Sequence, residues 1–429
     1  MNFGIRERRS GIGVANAITI VVLMLVLSAC STTSSEPPPT SASPTTSTSA
    51  VSPAKNLPTT SVKVVGNHLV GTEGQAIRLL GVNDPGPLYA CIDGKGISAS
   101  PLDAVAAQQI ETWHANAVRI ALNEDCWLGI NGASARFAGA PYRAAIVRWV
   151  ADLNADGMVA VLDLHWSAPG ATPSTQQWPM ADADHSIAFW SGVASTFKSE
   201  PGVIFDLFNE PYLGLGHPTA TDWECWRSGC DMPVAVCNAG GEHVANAAPR
   251  QCHSVRYQVA GMQQLLNAVR DAGADQPVLV AGLDWASDLC DDSKGGGTSG
   301  SCLWLQYEPV DPDHQIAASF HTYNFTSCSS LDCWNSNVAS LAQTVPVITG
   351  ELGERDCTDH YVDQYSDWAD QHDISYLAWA WQAPTAYSTN KSCQKQNTFL
   401  IGNQSGVPNQ GSAVATAFKA HLQAEASSS

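Results

Sequence analysis

Eight short apolar runs, each with a polar ending, constrain the fold of this chain more than any other feature. Continuous apolarity, as in Met158–Leu162, suits a strand that is covered on both faces, as in a parallel sheet. Eight such strands alternating with helices predict an α/β fold, a (β/α)₈ TIM barrel. The runs are Ala76–Asp84, Ala115–Asn123, Met158–Trp166, Val203–Pro211, Pro277–Asp284, Ile316–Asn324, Pro346–Gly353 and Ser375–Gln382.

Segments with spaced apolar residues lie between the runs and predict amphipathic helices. The alternative fold is a doubly wound sheet, but no GxGxxG motif follows any run, which disfavours it. The predicted helices are Leu102–His114, Tyr142–Ala155, His185–Lys198, Val255–Ala272 and Val362–Gln371.

The connection after the fourth run is much longer than the others. The run ends at Pro211 and Asp284 are 73 residues apart, whereas the other ends are separated by 29 to 45 residues. We interpret it as a disulfide-stapled loop on the functional face of the barrel. The alternative is a surface elaboration away from that face. The loop contains Trp223, Cys225, Trp226, Cys230, Cys237 and Cys252.

The N-terminus resembles a bacterial lipoprotein signal. Arginines at positions 6, 8 and 9 precede an apolar stretch that ends in Leu27-Ser28-Ala29-Cys30. The resemblance implies a signal peptide over residues 1–29 and lipidation of Cys30, which would hold the protein at the membrane. The alternative is an uncleaved transmembrane anchor over Ile12–Ala29. Both place the remainder on the extracellular face of the membrane, or secreted.

Residues 30–60 predict a tether, and residues 61–424 predict the barrel. From Ser31 to Thr60, 22 of 30 residues are Ser, Thr or Pro, a composition that cannot build a packed core. Such a tether suits an enzyme that must reach an extracellular polymer, and it is equally consistent with a simple spacer.

The cysteine content indicates an oxidising compartment. Without Cys30, 12 of the 13 cysteines remain, an even number. Short separations suggest four local disulfides and leave four cysteines unassigned. The suggested pairs are Cys225 with Cys230, Cys237 with Cys252, Cys290 with Cys302 and Cys328 with Cys333, and the unassigned residues are Cys91, Cys126, Cys357 and Cys393.

Composition limits the partners of the chain. A formal charge of −19 would repel a polyanion and argues against nucleic-acid binding. The sequence contains neither an HExxH motif nor a DxDxDG-type calcium loop, so we expect no metal and no cofactor. We expect a monomer whose contact with the membrane is the lipid anchor alone.

Two glutamates end apolar runs that leave little room for a surface position. Glu210 stands in Phe208-Asn209-Glu210-Pro211, and Glu351 stands in Thr349-Gly350-Glu351-Leu352. If the fourth and seventh strands present them at one end of the barrel, they form a carboxylate pair, the minimal equipment for cleaving a glycosidic bond. Glu354 is a rival to Glu351, but its parity along the strand is opposite.

The chain from about residue 61 to 424 resembles glycoside hydrolase family 5, a cellulase-like branch of the retaining barrel enzymes. Eight positions match the pattern of that family in order along the chain. They are Arg119, His165, Asn209, Glu210, His321, Tyr323, Glu351 and Trp379.

The resemblance implies a role for each of these residues. Glu351 would be the nucleophile, kept ionised by Arg119 and Tyr323, and Glu210 would be the acid and base. The pKa of Glu210 should be raised by proximity to the carboxylate of Glu351. Asn209 would bind the sugar 2-hydroxyl. The remaining positions would bind or orient substrate: His165, His321 and Trp379, with Trp381 on the same strand face as the last.

Two readings of some positions stay open. Arg119 could be an internal ion-pair residue, and His321 could be a core histidine. Tryptophans also stack well on sugars. We expect Trp166, Trp285 and either Trp223 or Trp226 at the substrate, and Trp113, Trp149 and Trp190 in helix packing.

The predicted activity is that of a retaining endo-β-glycanase acting on a β-linked polysaccharide or oligosaccharide, with β-1,4-glucan as the expected substrate. A β-mannanase, a β-1,3-glucanase or a transglycosylase of the same clan are alternatives. A tethered carbohydrate-binding protein without turnover is the alternative from another functional class.

Overall fold

The computed structural model describes residues 60–237, 252–290, 302–384 and 392–428. The predicted signal peptide, Cys30 and nearly all of the predicted tether lie outside the described residues. Eight parallel strands form a closed barrel in chain order, so the predicted (β/α)₈ fold is confirmed. They are β4 (Leu80–Asp84), β5 (Ala117–Asn123), β6 (Val159–Trp166), β7 (Val203–Asp206), β10 (Val278–Ala281), β11 (Ile316–Tyr323), β12 (Val347–Gly353) and β13 (Ser375–Ala378).

Each predicted run contains one barrel strand, but several strands are shorter than their runs. The run Ala76–Asp84 is divided, because its first two residues form β3 (Ala76–Ile77) of a separate sheet. That sheet pairs β1 (Val62–Val65), β2 (His68–Gly71) and β3 in antiparallel order. The apolar pattern had not predicted this sheet.

The N-terminal sheet packs against the interior residues at the start of the barrel strands. Val62, Val64 and Leu69 join one buried cluster with residues from seven barrel strands, including Val161 and Ile348. Burial of this apolar surface stabilises the barrel at the end opposite to the C-terminal ends of its strands.

Helices surround the barrel, and their larger amphipathic members agree with the sequence. The segments α2 (Ala104–Glu111), α4 (Ala140–Ala155), α5 (Ser186–Phe197) and α12 (His360–Gln371) match four predicted helices. The other helices are α1 (Gly86–Tyr89), α3 (Glu124–Leu128), α6 (Ala220–Ser228), α7 (Met262–Asp271), α8 (Leu283–Ala286), α9 (Leu303–Tyr307), α10 (Leu331–Cys333), α11 (Ser340–Ala342), α13 (Cys393–Gln396) and α14 (Ala413–Ser428), with a π-helix at Trp334–Ala339.

The predicted helix Val255–Ala272 is wrong at its beginning. Residues up to Val259 belong to β9 (Cys252–Val259), which pairs with β8 (Cys230–Cys237), and α7 begins only at Met262. Between them, Gly261 occupies a position where an added Cβ would lie 2.2 Å from the backbone nitrogen of Gly229. This close approach of two chain segments separates the strand from the helix.

The long connection after β7 folds into α6 and the β8–β9 hairpin. Thr219 and Asp222 form a capping box that begins α6, and this helix buries Trp223 and Trp226 completely. Trp226 donates a hydrogen bond to the carbonyl of Ala281 in the barrel. The expectation that Trp223 or Trp226 meets substrate is therefore wrong, because both pack in the core.

Five disulfides are present within the described residues. Three of them were predicted: Cys225–Cys230, Cys290–Cys302 and Cys328–Cys333. The unassigned cysteines form Cys91–Cys126 and Cys357–Cys393. Cys252 is also disulfide-bonded, and its backbone lies opposite that of Cys237, whose side chain lies outside the described residues. Among the helices of the described ranges, none is both long and apolar enough to span a membrane.

Candidate active site

Glu210 and Glu351 come together at the C-terminal ends of the barrel strands. One carboxylate oxygen of each lies within 4.8 Å of the other and of a ring nitrogen of His321. Glu210 follows β7 by four residues, Glu351 lies near the end of β12, and His321 lies in β11. The closed barrel thus brings together Glu210 and two side chains that lie more than a hundred residues later in the sequence.

A β-bulge sets the direction of Glu351. The register between β11 and β12 shifts after Phe320, so that His321 rather than its neighbour lies opposite Glu351. The extra residue is Gly350, where an added Cβ would lie 2.8 Å from Nε2 of His321. Glycine is required here because any side chain would collide with the histidine ring, and bulges often re-aim side chains at active sites.

The Glu351 carboxylate is held on both of its oxygens. Tyr323 donates its hydroxyl to Oε2 over 2.5 Å, and Arg119 donates Nη1 to Oε1 over 3.1 Å. The side chain is almost completely buried, with 5% of its surface exposed. These contacts stabilise the ionised carboxylate and fix its orientation.

Glu210 is the more exposed carboxylate of the pair. Its side chain is 22% exposed, and Oε1 lies 3.1 Å from Nδ1 of His321. Burial is the largest cause that raises its pKa to about 7, and the charges of His165, Arg119 and Arg355 oppose the shift. The predicted direction is confirmed. The predicted cause is wrong, because desolvation rather than the Glu351 charge dominates.

Arg119 is the buried centre of the site. Its side chain has no solvent exposure, and its guanidinium donates to one aspartate, one glutamate and two asparagines. The hydrogen bonds run from Nε to Asp206 at 2.8 Å, from Nη1 to Asn83 and Glu351, both at 3.1 Å, and from Nη2 to Asn209 at 2.8 Å. Both readings of Arg119 are thus compatible with its position, since it pairs internally and contacts Glu351 directly.

Asn209 is fixed by two contacts. Its side-chain oxygen accepts from Arg119, and its side-chain nitrogen donates to Oε1 of Gln177 over 3.0 Å. Gln177 in turn donates to the backbone carbonyl of Glu210 over 3.3 Å. Gln177 lies in the loop after β6, and no sequence signal singled it out.

His165 and Trp379 form a stacked pair, whereas Trp381 lies elsewhere. The rings of His165 and Trp379 are 5.5 Å apart with an interplanar angle of 21°. Trp381 is only 4% exposed and packs edge-on against Trp113 at 5.1 Å. The shared parity of Trp379 and Trp381 does not bring both to one surface, because β13 already ends at Ala378.

Two buried aspartates were missed by the sequence analysis. Asp163 and Asp206 are directly paired in neighbouring strands β6 and β7, and neither is exposed. Nδ1 of His165 lies 2.6 Å from Oδ2 of Asp163. The sequence did contain a signal for these residues. A carboxylate inside an apolar strand requires a charged or hydrogen-bonding partner, so each aspartate indicates a buried polar contact. Asp163 also shares a strand face with His165 two residues later.

The remaining predicted residues have definite surroundings. Glu354 accepts hydrogen bonds from the backbone nitrogen of Val362 and the hydroxyl of Thr358 at the start of α12, away from Glu351. Trp166 and Trp285 are partly exposed at the C-terminal ends of β6 and β10. Trp113, Trp149 and Trp190 are buried, as predicted.

Three groups of described side chains could offer three ligand atoms to a metal ion. One is the carboxylate pair with His321. In a second group, Asp370 already bonds Arg78, Tyr376 and His421, which indicates an ion-pair network. In the third, the hydroxyl of Ser186 lies within hydrogen-bond distance of both carboxylates, and burial together with the charge of Asp182 raises the pKa of Glu124. The second and third groups are Asp367, Asp370 and His421, and Glu124, Asp182 and His185.

Solved structures with the same fold include several β-glucanases. A beta-glucanase from Saccharophagus degradans, crystallised with cellotetraose, is 18% identical with a TM-score of 0.57, covering 85% of this chain and 94% of that chain. The Thermobifida fusca endoglucanase Cel5A is 15% identical with a TM-score of 0.54, covering 85% and 97%. An endo-beta-1,4-glucanase from Xanthomonas axonopodis pv. citri is 17% identical with a TM-score of 0.52, covering 81% and 100%.

Comparison with curated proteins gave no match. The family model described as cellulase, glycosyl hydrolase family 5, matches residues 92–384, which is more than half of the chain. The matched range contains both glutamates, Arg119 and every other position of the eight-residue pattern. The chain is therefore a glycoside hydrolase that belongs to the cellulase family, glycosyl hydrolase family 5.

Proposed function

We propose that this glycoside hydrolase is a retaining endo-β-glucanase that cleaves β-1,4-linked glucan by double displacement. The observation that carries the proposal is the approach of Glu210 and Glu351 oxygens to within 4.8 Å. Retaining enzymes hold their carboxyl groups about 5–5.5 Å apart, whereas inverting enzymes leave about 6.5–9.5 Å for a water molecule. The short separation supports retention.

Glu351 is the nucleophile in this proposal. It attacks the anomeric carbon, and its bond to that carbon forms as the glycosidic C–O bond breaks. Arg119 and Tyr323 hold the carboxylate in one orientation, so less conformational freedom is lost when it reaches the reactive geometry. The buried position keeps water away from the ester until the leaving chain has departed.

Glu210 is the acid and then the base. Its raised pKa keeps a proton available below about pH 7 for the departing oxygen. The resulting carboxylate then takes a proton from the water that hydrolyses the glycosyl ester. His321, whose pKa burial lowers to about 3, stays neutral beside Glu210 and can exchange hydrogen bonds with it in both states.

Two aromatic surfaces support binding of sugars on either side of the cleaved bond. Trp379 follows β13, next to the strand of the nucleophile, and would stack on the sugar that becomes attached to Glu351. Trp285 follows β10, next to the strand that precedes Glu210, and would stack on the departing chain. Tyr212 supports Trp285 by ring stacking at 4.7 Å and 7°.

The short segment α8 carries Trp285 and supports this second surface, because its backbone is a left-handed turn rather than a regular α-helix. Asp284, Trp285 and Ala286 all adopt left-handed backbone conformations, with φ of 54°, 57° and 59°. Such conformations cost roughly 1–3 kcal/mol each in non-glycine residues and concentrate at functional sites. The nitrogen of Trp285 donates to the carbonyl of Pro211, directly after Glu210, over 2.8 Å.

The choice of β-1,4-glucan rests on relatives rather than on this chain's own residues. Structural neighbours include an endo-beta-1,4-glucanase and a beta-glucanase crystallised with cellotetraose. A β-mannanase, a β-1,3-glucanase and a transglycosylase use the same two carboxylates and differ in the surrounding contacts. A binding protein without turnover is disfavoured by the intact, mutually oriented pair.

We further propose that the enzyme works as a monomer outside the cell, held by lipid on Cys30 and the tether of residues 30–60, or secreted. The five described disulfides support an oxidising environment. Labelling with a radioactive fatty acid, and its loss in Cys30→Ser, tests the anchor separately from the activity.

Purified protein should be assayed on carboxymethylcellulose, glucomannan and laminarin, with Glu351→Gln as the matched inactive control. We expect the fastest release of reducing ends from carboxymethylcellulose. The viscosity of this substrate should fall before many reducing ends have been released, because internal cleavage shortens the chains early. Faster action on glucomannan or laminarin would reassign the substrate. Binding without products in wild type would overturn the enzymatic role.

A further inference from the structure

The site contains more buried carboxylates than its cation can neutralise. Arg119 faces Asp163, Asp206 and Glu351, and all four side chains are at most 5% exposed. The other partners of Arg119 are neutral amides, from Asn83 and Asn209. With every carboxyl group ionised the cluster would carry a net charge of −2, and a buried unpaired charge is costly unless the group takes up a proton.

The nitrogen neighbours of Asp163 favour its ionised form over that of Asp206. Its Oδ2 lies 2.6 Å from Nδ1 of His165 and 3.1 Å from Nη2 of Arg119, so one oxygen faces two nitrogen donors. Burial lowers the pKa of His165 to about 4, so the ring is neutral. An ionised Asp163 requires the single proton of this ring on Nδ1, toward the carboxylate. Nε2 of His165 is then left as an acceptor.

Asp206 has the weaker claim to a negative charge. Its Oδ2 accepts from Nε of Arg119 alone, whereas Oδ2 of Asp163 has two nitrogen neighbours. The Oδ1 atoms of both aspartates are buried with no hydrogen-bond partner in the described residues. It lies directly across the strand pair from Asp163. Burial raises the pKa of both aspartates to about 7, and the negative charge of Asp163 adds to the shift at Asp206.

We propose that Asp206 is protonated in the active enzyme, whereas ionised Asp163 orients His165 as a hydrogen-bond acceptor for the substrate. Asp163 is thus a positioning residue that acts through His165. The inference rests on the proposed retaining function. A protonated Asp206 leaves the cluster at −1 in the free enzyme, with Arg119 balancing one of two carboxylates.

The proton on Asp206 balances the charge of Arg119 and its three carboxyl partners in the covalent intermediate. When Glu351 becomes a glycosyl ester it loses its charge, and Arg119 then pairs with Asp163 alone in a neutral cluster. An ionised Asp206 would leave one negative charge buried and uncompensated at that stage. It would also compete with Glu351 for the guanidinium, which weakens the orientation of the nucleophile.

The test compares Asp206→Asn with Asp163→Asn, two isosteric changes at paired positions. An amide replaces a neutral carboxyl with little loss, so kcat/KM of Asp206→Asn should stay within about threefold of wild type. Asp163→Asn removes a charge that orients a substrate-binding group, and such supporting changes typically cost about 10–100-fold. Equal losses in the two folded variants, or a larger loss in Asp206→Asn, would overturn the proposal.

A spectroscopic measurement reads the proton without any activity. The infrared difference between wild type and Asp206→Asn should contain a lost carbonyl band of a protonated carboxylic acid, and the difference for Asp163→Asn should contain lost carboxylate bands instead. Lost carboxylate bands for Asp206→Asn would overturn the proposal. Because this measurement needs no turnover, it tests the protonation of Asp206 independently of the proposed function.

Wild type alone provides a further check if a variant fails to fold. With aspartate carboxyl carbons labelled with ¹³C, at least one resonance must remain at its protonated position at the pH of highest activity. If every aspartate resonance has reached its carboxylate position at that pH, Asp206 is ionised and the proposal is wrong.

Discussion

The hydroxyl of Tyr323 donates to Oε2 of Glu351 over 2.5 Å, across the neighbouring strands β11 and β12. This bond is one of the two that hold the carboxylate of the proposed nucleophile, and the other comes from Arg119 on the opposite oxygen. Because the proposed mechanism requires that the carboxylate rotate little before attack, we expect the bond to contribute to the reaction more than to folding.

Tyr323→Phe should therefore lower kcat/KM about 10–100-fold while the melting temperature changes little. The matched control is Tyr257→Phe, which removes a hydrogen bond to the backbone carbonyl of Met180 and nothing at the carboxylate pair. That control should lose about 1 kcal/mol of stability and keep its kcat/KM. Similar activity in the two variants would show that the Tyr323 contact is merely structural.

The alkaline side of the pH profile should report Glu210. Burial raises its pKa to about 7, and the acid must be protonated to act, so kcat/KM should fall as the pH rises through about 7. Glu210→Ala should remove this fall for an aryl glycoside with a good leaving group, which needs no protonation. A fall that persists unchanged in that variant would assign the titration to another group.

Trp379 and Trp381 should separate activity from stability. Trp379 is partly exposed beside His165, so Trp379→Ala should raise KM or lower kcat with a small change in melting temperature. Trp381 packs on Trp113 in the core, and Trp381→Ala should destabilise the fold by about 3–5 kcal/mol. Denaturant unfolding measures the stability of each variant, and kinetics on a soluble cello-oligosaccharide measure its activity. Loss of activity without loss of stability in Trp381→Ala, together with the opposite result in Trp379→Ala, would contradict this assignment.

Two disulfides should differ in their effect on stability. Cys91–Cys126 closes a separation of 35 residues and Cys328–Cys333 one of 5. The loss of loop-closure entropy predicts about 4 kcal/mol for the first and about 2 kcal/mol for the second. Paired Cys→Ala variants, compared by denaturant unfolding, check this order. A larger loss for the short loop would show that native packing rather than chain entropy dominates.

Much of the barrel follows from the sequence because its strands are buried on both faces. Continuous apolar runs such as Met158–Leu162 locate β6, and the same pattern locates the other seven. The segment Val255–Val259 shows where local apolar spacing predicts the wrong secondary structure. Its spacing fits a helix, but pairing with β8 makes it a strand, and that partner lies outside any local window.

Site residues could be predicted from the sequence where the residue type and its position at the end of an apolar run suggest chemistry. They could not be predicted where tertiary packing determines which side chains are exposed. Glu210 and Glu351 lie at or near the ends of apolar runs, which the sequence displays directly. The stacking of Trp285 on Tyr212 and the burial of Trp223 depend on how the long loop folds. The origin of the Glu210 pKa shift likewise depends on burial, which only the assembled barrel reveals.

The configuration of the first product tests the central claim most directly. Hydrolysis of cellotetraose can be followed by proton NMR before mutarotation, with parallel trapping by a 2-fluoro-glycoside and peptide mapping. A pair of carboxylates with oxygens within 4.8 Å of each other predicts the β-anomer first and a covalent label on Glu351. Initial release of the α-anomer, or a label on any other residue, would contradict the account.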